Sequence, residues 1–362
     1  MAAGGAKILF RVDASLHIGT GHVMRCLTLA QTLKLRGAEC LFICRAHEGN
    51  LIDYIKAQGF SVKPLPYGPS NGANHVGWLG APWQTDAAQT LATVEGARFD
   101  WLIVDHYALE KGWETAMRLM CKHLMVIDDL ADRPHDCELL LDQNLGRETA
   151  DYQDLLKPDC TMLLGPEFAL LRPEFAEWRG QSLRRRAASP RLGKLLITLG
   201  GVDQHNVTSH VLAALKGSPL PNNAQIKVVM GPHAPWLTEV KAMAANMPWP
   251  TQVLVGVSNM AELMAESDLA IGAAGSTSWE RCCLGLPTLA LVLADNQFES
   301  AHYLEQSGAI VLLGDAQKEG WQARLAQILA TLSDKMLGGL SENARKIADG
   351  TGAEKNVKEM RI

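Results

Sequence analysis

Short apolar runs alternate with longer segments of helical periodicity along almost the whole chain. The runs are apolar throughout rather than at every second position, which is typical of parallel strands covered by helices on both faces. They fall into two series: residues 7–11, 39–44, 101–105 and 123–127, and then residues 194–199, 226–230, 252–255, 269–272 and 288–292. This pattern predicts an α/β fold with two Rossmann-like domains facing a cleft.

A polar and basic stretch separates the two series. It contains three consecutive arginines at residues 184–186 and then Ser189-Pro190, which is typical of an exposed linker. We therefore predict an N-terminal domain of residues 1–180, a linker of residues 181–191 and a C-terminal domain of residues 192–340. Residues 341–362 have a helical pattern and are expected as helices that can pack across the two domains.

The composition narrows the classes of partner. A net charge of −5 provides no general attraction to nucleic acid or to an anionic membrane. No apolar run approaches the roughly 20 residues of a membrane-spanning helix. Residues 1–7 lack the basic start and the apolar run of a secretion signal, so we expect a cytoplasmic protein. The eight cysteines form no CxxC pair and no zinc-like spacing with histidine, so they are expected to be reduced thiols.

A glycine loop follows the first strand and leads into a helix. Gly19 and Gly21 allow the backbone to approach a ligand and to adopt left-handed angles, and the free amides at the helix start favour a negative charge. His22 lies in the first helical turn, where an imidazole tends to stay neutral, and Arg25 projects near it. His22 is therefore a candidate either to accept a proton from water or to polarise a group of the substrate. The alternative is that residues 19–21 form only a tight turn.

Further polar residues cluster around the same strand end. Asp13 and Ser15 precede the glycine loop, and together with His22 and Arg25 they exceed the number of polar groups that a turn requires. His17 lies in this loop too but lacks the helix-start position, so His22 is the preferred candidate.

Two more strands of the first series end in groups capable of proton chemistry. One is followed by Asp105, His106 and Tyr107, which are expected at the same sheet edge as the glycine loop. The other is followed by Asp128-Asp129, which either bind a metal or cap a turn. Adjacent residues of a strand point in divergent directions, so we favour turn capping and predict no metal site.

Two loops of the second series suit a nucleotide-sugar. Gly200-Gly201 follow the first strand of this series and allow close backbone approach by a diphosphate or a sugar. Asn296-Gln297 follow the last strand, and their amides can bind sugar hydroxyls or diphosphate.

A third loop, residues 273–278, carries the stronger nucleotide signal. It consists of small and hydroxyl-bearing residues ahead of a helix that contains Glu280. Such a loop can hold a diphosphate, and a carboxylate in the first helical turns can accept two ribose hydroxyls. The alternative is that Ser276 and Ser278 are helix caps and that Glu280 interacts with the helix dipole.

These motifs together resemble a known enzyme family over nearly the whole chain. The residues that carry the resemblance are 10–15, 19–25, 104–107, 199–203, 275–280 and 296–297. They are similar to those of the hydrolases that remove UDP from UDP-2,4-diacetamido-2,4,6-trideoxy-β-L-altrose in pseudaminic acid biosynthesis. That family is similar in fold to the GT-B glycosyltransferases, especially the enzyme that adds N-acetylglucosamine to lipid II precursors. The resemblance implies a GT-B-like fold, a bacterial role in flagellin or surface-glycan synthesis, and no cofactor.

The resemblance also implies roles for individual residues. The family's catalytic histidine corresponds to His22, its water-contacting tyrosine to Tyr107 and its ribose-binding glutamate to Glu280. The predicted substrate-binding residues are Asp13, Ser15, Gly19, Gly21, Arg25, Gly200, Gly201, Met260 (near uracil), Gly275, Ser276, Thr277, Ser278, Glu280, Asn296 and Gln297. The first domain would then act on the sugar, and the second would bind UDP. The partners are the UDP-sugar and its UDP product, without nucleic acid or membrane, and no motif specifies an oligomeric state.

The expected chemistry is hydrolysis at the anomeric carbon. Tyr107 and His22 would orient and deprotonate a water that attacks C1 with inversion, while residues 275–278 stabilise the departing UDP without a metal. The alternatives are a UDP-sugar glycosyltransferase of the same fold and a non-catalytic nucleotide-sugar-binding protein. Hydrolysis is preferred to transfer because the first domain carries no evident apolar patch ringed by basic residues for a lipid acceptor.

Overall fold

The computed structural model describes residues 5–68 and 75–362. The chain divides into two compact units, and each contains a parallel sheet. Unit 1 comprises Met1–Leu170 and Thr351–Ile362, and unit 2 comprises Leu171–Gly350. Residues 1–4 of the segment considered for a secretion signal lie outside the described residues.

The sheet of unit 1 consists of parallel strands with helices on both faces. The strands are β1 (Lys7–Val12), β2 (Glu39–Arg45), β3 (Ser61–Leu65), β4 (Phe99–Asp105), β5 (Cys121–Ile127), β6 (Leu139–Asp142) and β7 (Thr161–Leu164). The helices before residue 170 are α1 (Gly21–Leu35), α2 (Ile52–Ala57), α3 (Trp83–Thr93) and α4 (Lys111–Met117). The strand order is β3-β2-β1-β4-β5-β6-β7. From β1 the chain order runs toward β3 on one side of the sheet and toward β7 on the other. The point between β1 and β4 is therefore the topological switch point, where ligands bind in sheets of this type.

Unit 2 repeats the same arrangement. Its strands are β8 (Lys194–Thr198), β9 (Gln225–Met230), β10 (Thr251–Val255), β11 (Leu269–Ala273), β12 (Thr288–Val292) and β13 (Ile310–Asp315). Its helices are α5 (Pro173–Ala188), α6 (Val207–Lys216), α7 (Leu237–Ala245), α8 (Met260–Glu266), α9 (Thr277–Cys283), α10 (Phe298–Gln306), α11 (Trp321–Thr331) and α12 (Asp334–Ala344). The strand order is β10-β9-β8-β11-β12-β13, so the topological switch point lies between β8 and β11. Within residues 5–68 and 75–362, no helix has the length and apolarity needed to cross a membrane.

The continuous apolar character of β1 reflects burial on both faces of its sheet. Ile8 and Phe10 pack into one core together with Leu33 of α1. Leu9, between them, faces the opposite core together with Trp113 of α4. All of these side chains are buried, and the prediction of parallel sheets in two Rossmann-like domains is confirmed.

The last helix, α13 (Gly352–Glu359), belongs to unit 1. Ala353, Val357 and Met360 join the same apolar core as β1 and α1. α12 ends at Ala344 and belongs to unit 2. Residues 341–362, which were expected as helices that can pack across the two domains, are divided between the two units.

The structure divides the units at Leu170–Leu171 rather than within residues 181–191. Most of the stretch predicted as a linker is the second half of α5, which is part of unit 2. Arg186 is buried and donates to the carbonyls of Met264 and Ser267 at the end of α8. Carbonyls at a helix end need donors, which explains why Arg186 is buried although Arg184 of the same run is exposed. The sequence alone does not reveal that contact.

Four strands among the described residues were not predicted: β3, β6, β7 and β13. β3 contains Lys63-Pro64, and proline is tolerated here because the strand lies at the edge of the sheet. β6 and β7 have four residues each, which is too short for a clear apolar pattern. β13 pairs with β12 through a register shift, and Gly314 within it has φ +133°.

Candidate active site

The site in unit 1 lies where β1 and β4 end side by side. These strands are neighbours in the sheet, with Val12 opposite Asp105. α1 begins at Gly21, so His22 lies in its first turn. Nδ1 of His22 and Oδ1 of Asp105 are 2.6 Å apart, and the Asp105 side chain is fully buried. The imidazole and the carboxylate therefore form a hydrogen-bonded pair.

Asp105 determines which nitrogen of His22 is available. An ionised carboxylate only accepts hydrogen bonds, so Nδ1 carries the proton and donates it to Oδ1. Nε2 then carries the lone pair, and it has no hydrogen-bond partner among the described residues. A neutral imidazole held in this way can accept a proton at Nε2.

Arg25 holds two carboxylates in place around this pair. Its Nε and Nη2 donate to Asp105 at 2.6 and 2.7 Å, and its Nη1 donates to Asp129 at 2.6 Å. Burial by itself raises the pKa of Asp105, but the charge of Arg25 and the hydrogen bonds from Arg25 and His22 outweigh it and hold the pKa well below its usual range. Asp105 therefore stays ionised. Arg25 was predicted to bind substrate, which stays a prediction, and in the structure its guanidinium nitrogens donate to protein carboxylates.

Tyr107 lies against His22 and bonds to the second of these carboxylates. Its hydroxyl donates to Oδ2 of Asp129 at 2.7 Å, and its ring meets the imidazole edge-on with centroids 4.7 Å apart. Burial, together with the charge of Asp129, raises the pKa of Tyr107 well above its usual value. The phenol therefore keeps its proton, while its oxygen can still accept a hydrogen bond.

Asp128 and Asp129, the acidic pair after β5, have different partners. Asp128 accepts from the amide of Ala131 at 2.9 Å, so it caps a turn as predicted. Asp129 instead bonds to Arg25 and Tyr107 and so belongs to the site. Its role was missed because the sequence does not show that β5 lies beside β4, which brings Asp129 close to Tyr107.

An aromatic wall beside Tyr107 was also missed. The Trp78 ring stacks on the phenol with ring centroids 5.7 Å apart, and the centroid of the His75 ring lies 4.6 Å from that of Trp78. Both belong to a short 3-10 turn, His75–Leu79, which no strand end or motif marks in the sequence. Aromatic rings present large apolar faces, so this wall places an apolar surface beside the polar groups.

Asp13 and Ser15 turn inward rather than toward a ligand. Asp13 is 1% exposed and accepts from Nη1 of Arg11 and from the amide of Arg45, each at 2.6 Å. Arg11 also bonds to Asp86 of α3, so these groups form a buried charged network below the loop. The Ser15 hydroxyl accepts two backbone amides of its own turn. Both residues were predicted to bind substrate, which stays a prediction, and in the structure their side chains have partners within the protein.

The glycines of this loop differ from each other. Gly19 has φ +78°, the left-handed angle that was predicted for it. Gly21 is already the first residue of α1, so it does not adopt that angle. A Cβ at either position would meet nothing within 4 Å among the described residues, so the backbone there is open to a ligand.

Two buried histidines face Asp13 but do not form a metal site. Nε2 of His106 and of His47 lie 3.4 and 3.7 Å from Oδ2 of Asp13. Nδ1 of His106 accepts from the amide of Ala108, so its Nε2 carries the proton and cannot ligate a metal. Among the described residues, no group of three His, Cys, Asp or Glu side chains is arranged to hold a metal ion.

The candidate nucleotide site of unit 2 lies beyond the neighbouring strands β8 and β11. Gly200 has φ +94°, and the carbonyl of Gly201 accepts from the amide of Gly231 at 2.9 Å. A Cβ at Gly200 or Gly201 would meet nothing within 4 Å, so this loop is open. Met260 begins α8, and Asn296 is exposed in the turn before α10.

The loop after β11 exposes fewer hydroxyls than its sequence suggests. Ser278 is buried, and its hydroxyl accepts from Nη2 of Arg281 at 3.0 Å. The Thr277 hydroxyl accepts from Nη1 of the same guanidinium at 3.1 Å. Ser276 is exposed and makes no side-chain capping bond, so the capping alternative does not hold for it. A diphosphate at this loop would therefore meet mainly its backbone and Ser276.

Glu280 and Gln297 flank this loop. The Glu280 side chain is 17% exposed, and Nη2 of Arg172 lies 3.9 Å from it. Burial raises the pKa of Glu280 to about 7. Gln297 accepts from the amide of Leu293 at 3.0 Å, and its Nε2 lies 3.3 Å from the position of a Cβ at Gly275. The structure therefore places the Gln297 amide beside Gly275.

Comparison with known proteins agrees with this fold. Residues 195–359 match the model of the glycosyltransferase family 28 C-terminal domain. The structure is similar to that of MurG from Acinetobacter baumannii, with a TM-score of 0.68 and 16% sequence identity. That similarity covers 98% of this chain and 99% of MurG.

Two curated proteins are similar in sequence. Over 302 residues the chain is 26% identical to the UDP-2,4-diacetamido-2,4,6-trideoxy-beta-L-altropyranose hydrolase of Campylobacter jejuni, covering 83% of this chain and 97% of that protein. It is also 26% identical over 302 residues to the uncharacterized protein MJ1062 of Methanocaldococcus jannaschii, covering 82% of this chain but only 57% of that protein. The chain therefore has a GT-B-like fold and is similar over most of its length to a UDP-sugar hydrolase, so the resemblance predicted from its motifs is confirmed.

Proposed function

We propose that the protein hydrolyses a UDP-sugar, with UDP-2,4-diacetamido-2,4,6-trideoxy-β-L-altrose as the substrate. The observation that carries the proposal is the His22–Asp105 pair at the sheet edge of unit 1, where the imidazole meets the Tyr107 ring edge-on and Nε2 has no hydrogen-bond partner among the described residues. The similarity to the Campylobacter jejuni hydrolase supports the choice of substrate. A place in pseudaminic acid biosynthesis and flagellin glycosylation, and a cytoplasmic location, are part of the same proposal.

The reaction requires a base and a good leaving group. His22 accepts a proton from water at Nε2 while the water oxygen bonds to the anomeric carbon with inversion. The bond between that carbon and the phosphate oxygen breaks, and its electron pair leaves with UDP. The diphosphate spreads this charge over several oxygens, so proton donation to the leaving group contributes little. Asp105 keeps His22 in the required tautomer and stabilises the imidazolium that forms.

Tyr107 positions the water rather than deprotonating it. Its hydroxyl proton is committed to Asp129, and its raised pKa keeps it protonated at neutral pH. The phenol oxygen can accept one hydrogen bond from the water, which orients the water's other proton toward His22. His22 is therefore assigned as the base.

Unit 2 is proposed to bind UDP. Glu280 accepts the ribose hydroxyls, and uracil lies near Met260. The open backbone at Gly200-Gly201 and the loop of residues 273–278 approach the diphosphate and the sugar. No metal or cofactor takes part in this proposal.

The second candidate is a UDP-sugar glycosyltransferase. The family 28 match and the similarity to MurG favour it, because fold alone does not decide whether water or an alcohol attacks. The same base would then activate an acceptor hydroxyl. A non-catalytic binding protein is disfavoured because it has no use for a histidine that a buried carboxylate orients.

One experiment separates these candidates. The purified protein is incubated with the UDP-sugar, EDTA and no acceptor in water enriched in oxygen-18, and both UDP release and the labelled product are measured. We expect UDP release with the label in the sugar, because the C–O bond breaks. Label in UDP would contradict attack at carbon. UDP release that appears only when an acceptor alcohol is added would favour the transferase, and binding without turnover would favour the non-catalytic protein.

A further inference from the structure

A buried guanidinium lies beneath the loop of residues 273–278. Arg281 of α9 is 1% exposed. Its Nη2 donates to the carbonyl of Ala273 at 2.6 Å and to the hydroxyl of Ser278 at 3.0 Å. Its Nη1 donates to the hydroxyl of Thr277 at 3.1 Å. The side chain therefore ties both ends of this loop together from the inside.

Among the described residues of unit 2, no carboxylate forms an ion pair with Arg281, and the negative charge of Glu280 only partly offsets the effect of burial on its pKa. The hydrogen-bond partners of Arg281 are neutral, and its buried Nε has no partner among the described residues. Arg11, which is equally buried in unit 1, is by contrast paired with both Asp13 and Asp86. Burial lowers the pKa of Arg281 to about 10, which still leaves the group charged at neutral pH. A buried charge that lacks a counter-ion in the protein is costly, so it favours an anion nearby.

The Arg281 guanidinium lies close to the strand ends from which the two candidate diphosphate loops of unit 2 begin. A Cβ at Gly272 of β11 would lie 2.5 Å from Nη1 of Arg281 and 3.3 Å from the carbonyl oxygen of Thr198. Only glycine at position 272 leaves space for the guanidinium, which lies against the carboxyl end of β11, the strand that pairs with β8 at this point. The two loops that leave the ends of β11 and β8, residues 273–278 and Gly200-Gly201, are those assigned to the diphosphate.

We propose that Arg281 is a positioning residue that gives the nucleotide site its affinity for the diphosphate of UDP. This inference rests on the proposed UDP site of unit 2. The guanidinium acts from beneath the loop: it supplies a positive charge in a medium of low dielectric constant, where charges interact more strongly than in water. By engaging the carbonyl of Ala273 and the two hydroxyls, it also holds these acceptors away from the ligand's negative charge.

The test compares UDP with uridine, which lacks the phosphates. Calorimetric titration of each ligand is carried out on the wild-type protein, Arg281→Met and Arg281→Lys. We expect Arg281→Met to weaken UDP binding about 10- to 100-fold while uridine binding changes less than about twofold. Arg281→Lys keeps the charge and should recover much of the UDP affinity, even though it cannot make all three hydrogen bonds.

Arg186→Met is the matched control, because it removes another buried guanidinium of unit 2. The four acceptors of Arg186 include the carbonyls of Met264 and Leu284, at the ends of α8 and α9. Its loss should lower the melting temperature without changing the ratio of UDP to uridine affinity. The inference would be overturned if Arg281→Met lost affinity for UDP and for uridine by the same factor, or if its UDP affinity were unchanged. If Arg281→Met does not fold, Arg281→Lys provides the test. A ratio of UDP affinity to uridine affinity well below that of wild type in Arg281→Lys would also overturn the inference.

The same measurements distinguish a failure of this inference from a failure of the proposed function. Glu280→Gln should weaken uridine and UDP together, because it removes a ribose contact rather than a phosphate contact. UDP binding that depends on Arg281, in a protein that releases no UDP from the UDP-sugar, would support the inference and contradict the hydrolase. A wild-type protein that binds neither UDP nor uridine would overturn both.

Discussion

The substitution His22→Asn tests the central assignment. Asparagine keeps an amide that can donate to Asp105 but lacks a nitrogen that accepts a proton at neutral pH. General-base catalysis contributes roughly 100- to 10,000-fold, which at about 1.4 kcal/mol per tenfold corresponds to ~3–5 kcal/mol of barrier. The fold should persist because Asp105 retains its two bonds from Arg25 at 2.6 and 2.7 Å. The expected loss of unfolding free energy is at most that of one charged hydrogen bond, about 1.5–3 kcal/mol.

The assay measures kcat for UDP release from the UDP-sugar and, separately, the affinity for UDP. We expect kcat to fall by at least about 100-fold and UDP affinity to stay within about twofold of wild type, because the nucleotide is assigned to unit 2. The matched control is His17→Asn, the same substitution at an exposed histidine of the same loop, which should leave kcat nearly unchanged. Full turnover in His22→Asn would refute the reasoning, as would an equal loss in both variants.

Three further predictions follow from the geometry. Tyr107→Phe should lower kcat about 5- to 10-fold with little change in KM, since it removes one hydrogen bond to the attacking water, and an unchanged kcat would contradict the positioning role. UDP affinity should rise as the pH increases through about 7, where Glu280 ionises and becomes a better acceptor for ribose hydroxyls, and Glu280→Gln should abolish this dependence; a titration series between about pH 6 and 8 measures it. Asp86→Asn should lower the free energy of unfolding by about 3–5 kcal/mol, because Arg11 and Arg45 lose a buried counter-charge, whereas a change below about 1 kcal/mol in urea unfolding would be inconsistent with this network.

The neighbourhood of His22 was predictable in part. Polar residues follow the strands that become β1 and β4, and parallel strands place their carboxyl ends at one edge, so Tyr107 was expected near His22. The contribution of Asp129 was not predictable, because it depends on β5 lying beside β4. Trp78 was missed for a related reason: its turn belongs to no strand, and only the folded chain carries it to the Tyr107 ring.

Asp13 shows what the sequence leaves undetermined. In the sequence it is one more polar residue at a strand end, with the same appearance as Asp105. In the structure Asp13 is buried against Arg11. Arg11 also bonds to Asp86, which lies 75 positions from Arg11 along the chain. Whether a carboxylate faces a ligand or a buried arginine depends on such distant partners, which local patterns do not encode.

The sequence by itself determined the two parallel sheets, the strand-end location of the candidate chemistry and the family that the chain resembles, because these depend on local periodicity and short motifs. Only the tertiary structure decided which charges are paired. It joined His22 to Asp105, paired Arg25 with Asp105 and Asp129, and placed Arg281 beneath its loop without an ion-pair partner among the described residues. The physical reason is that burial and charge pairing arise from contacts between segments far apart in the chain, and these contacts exist only once the sheets have formed.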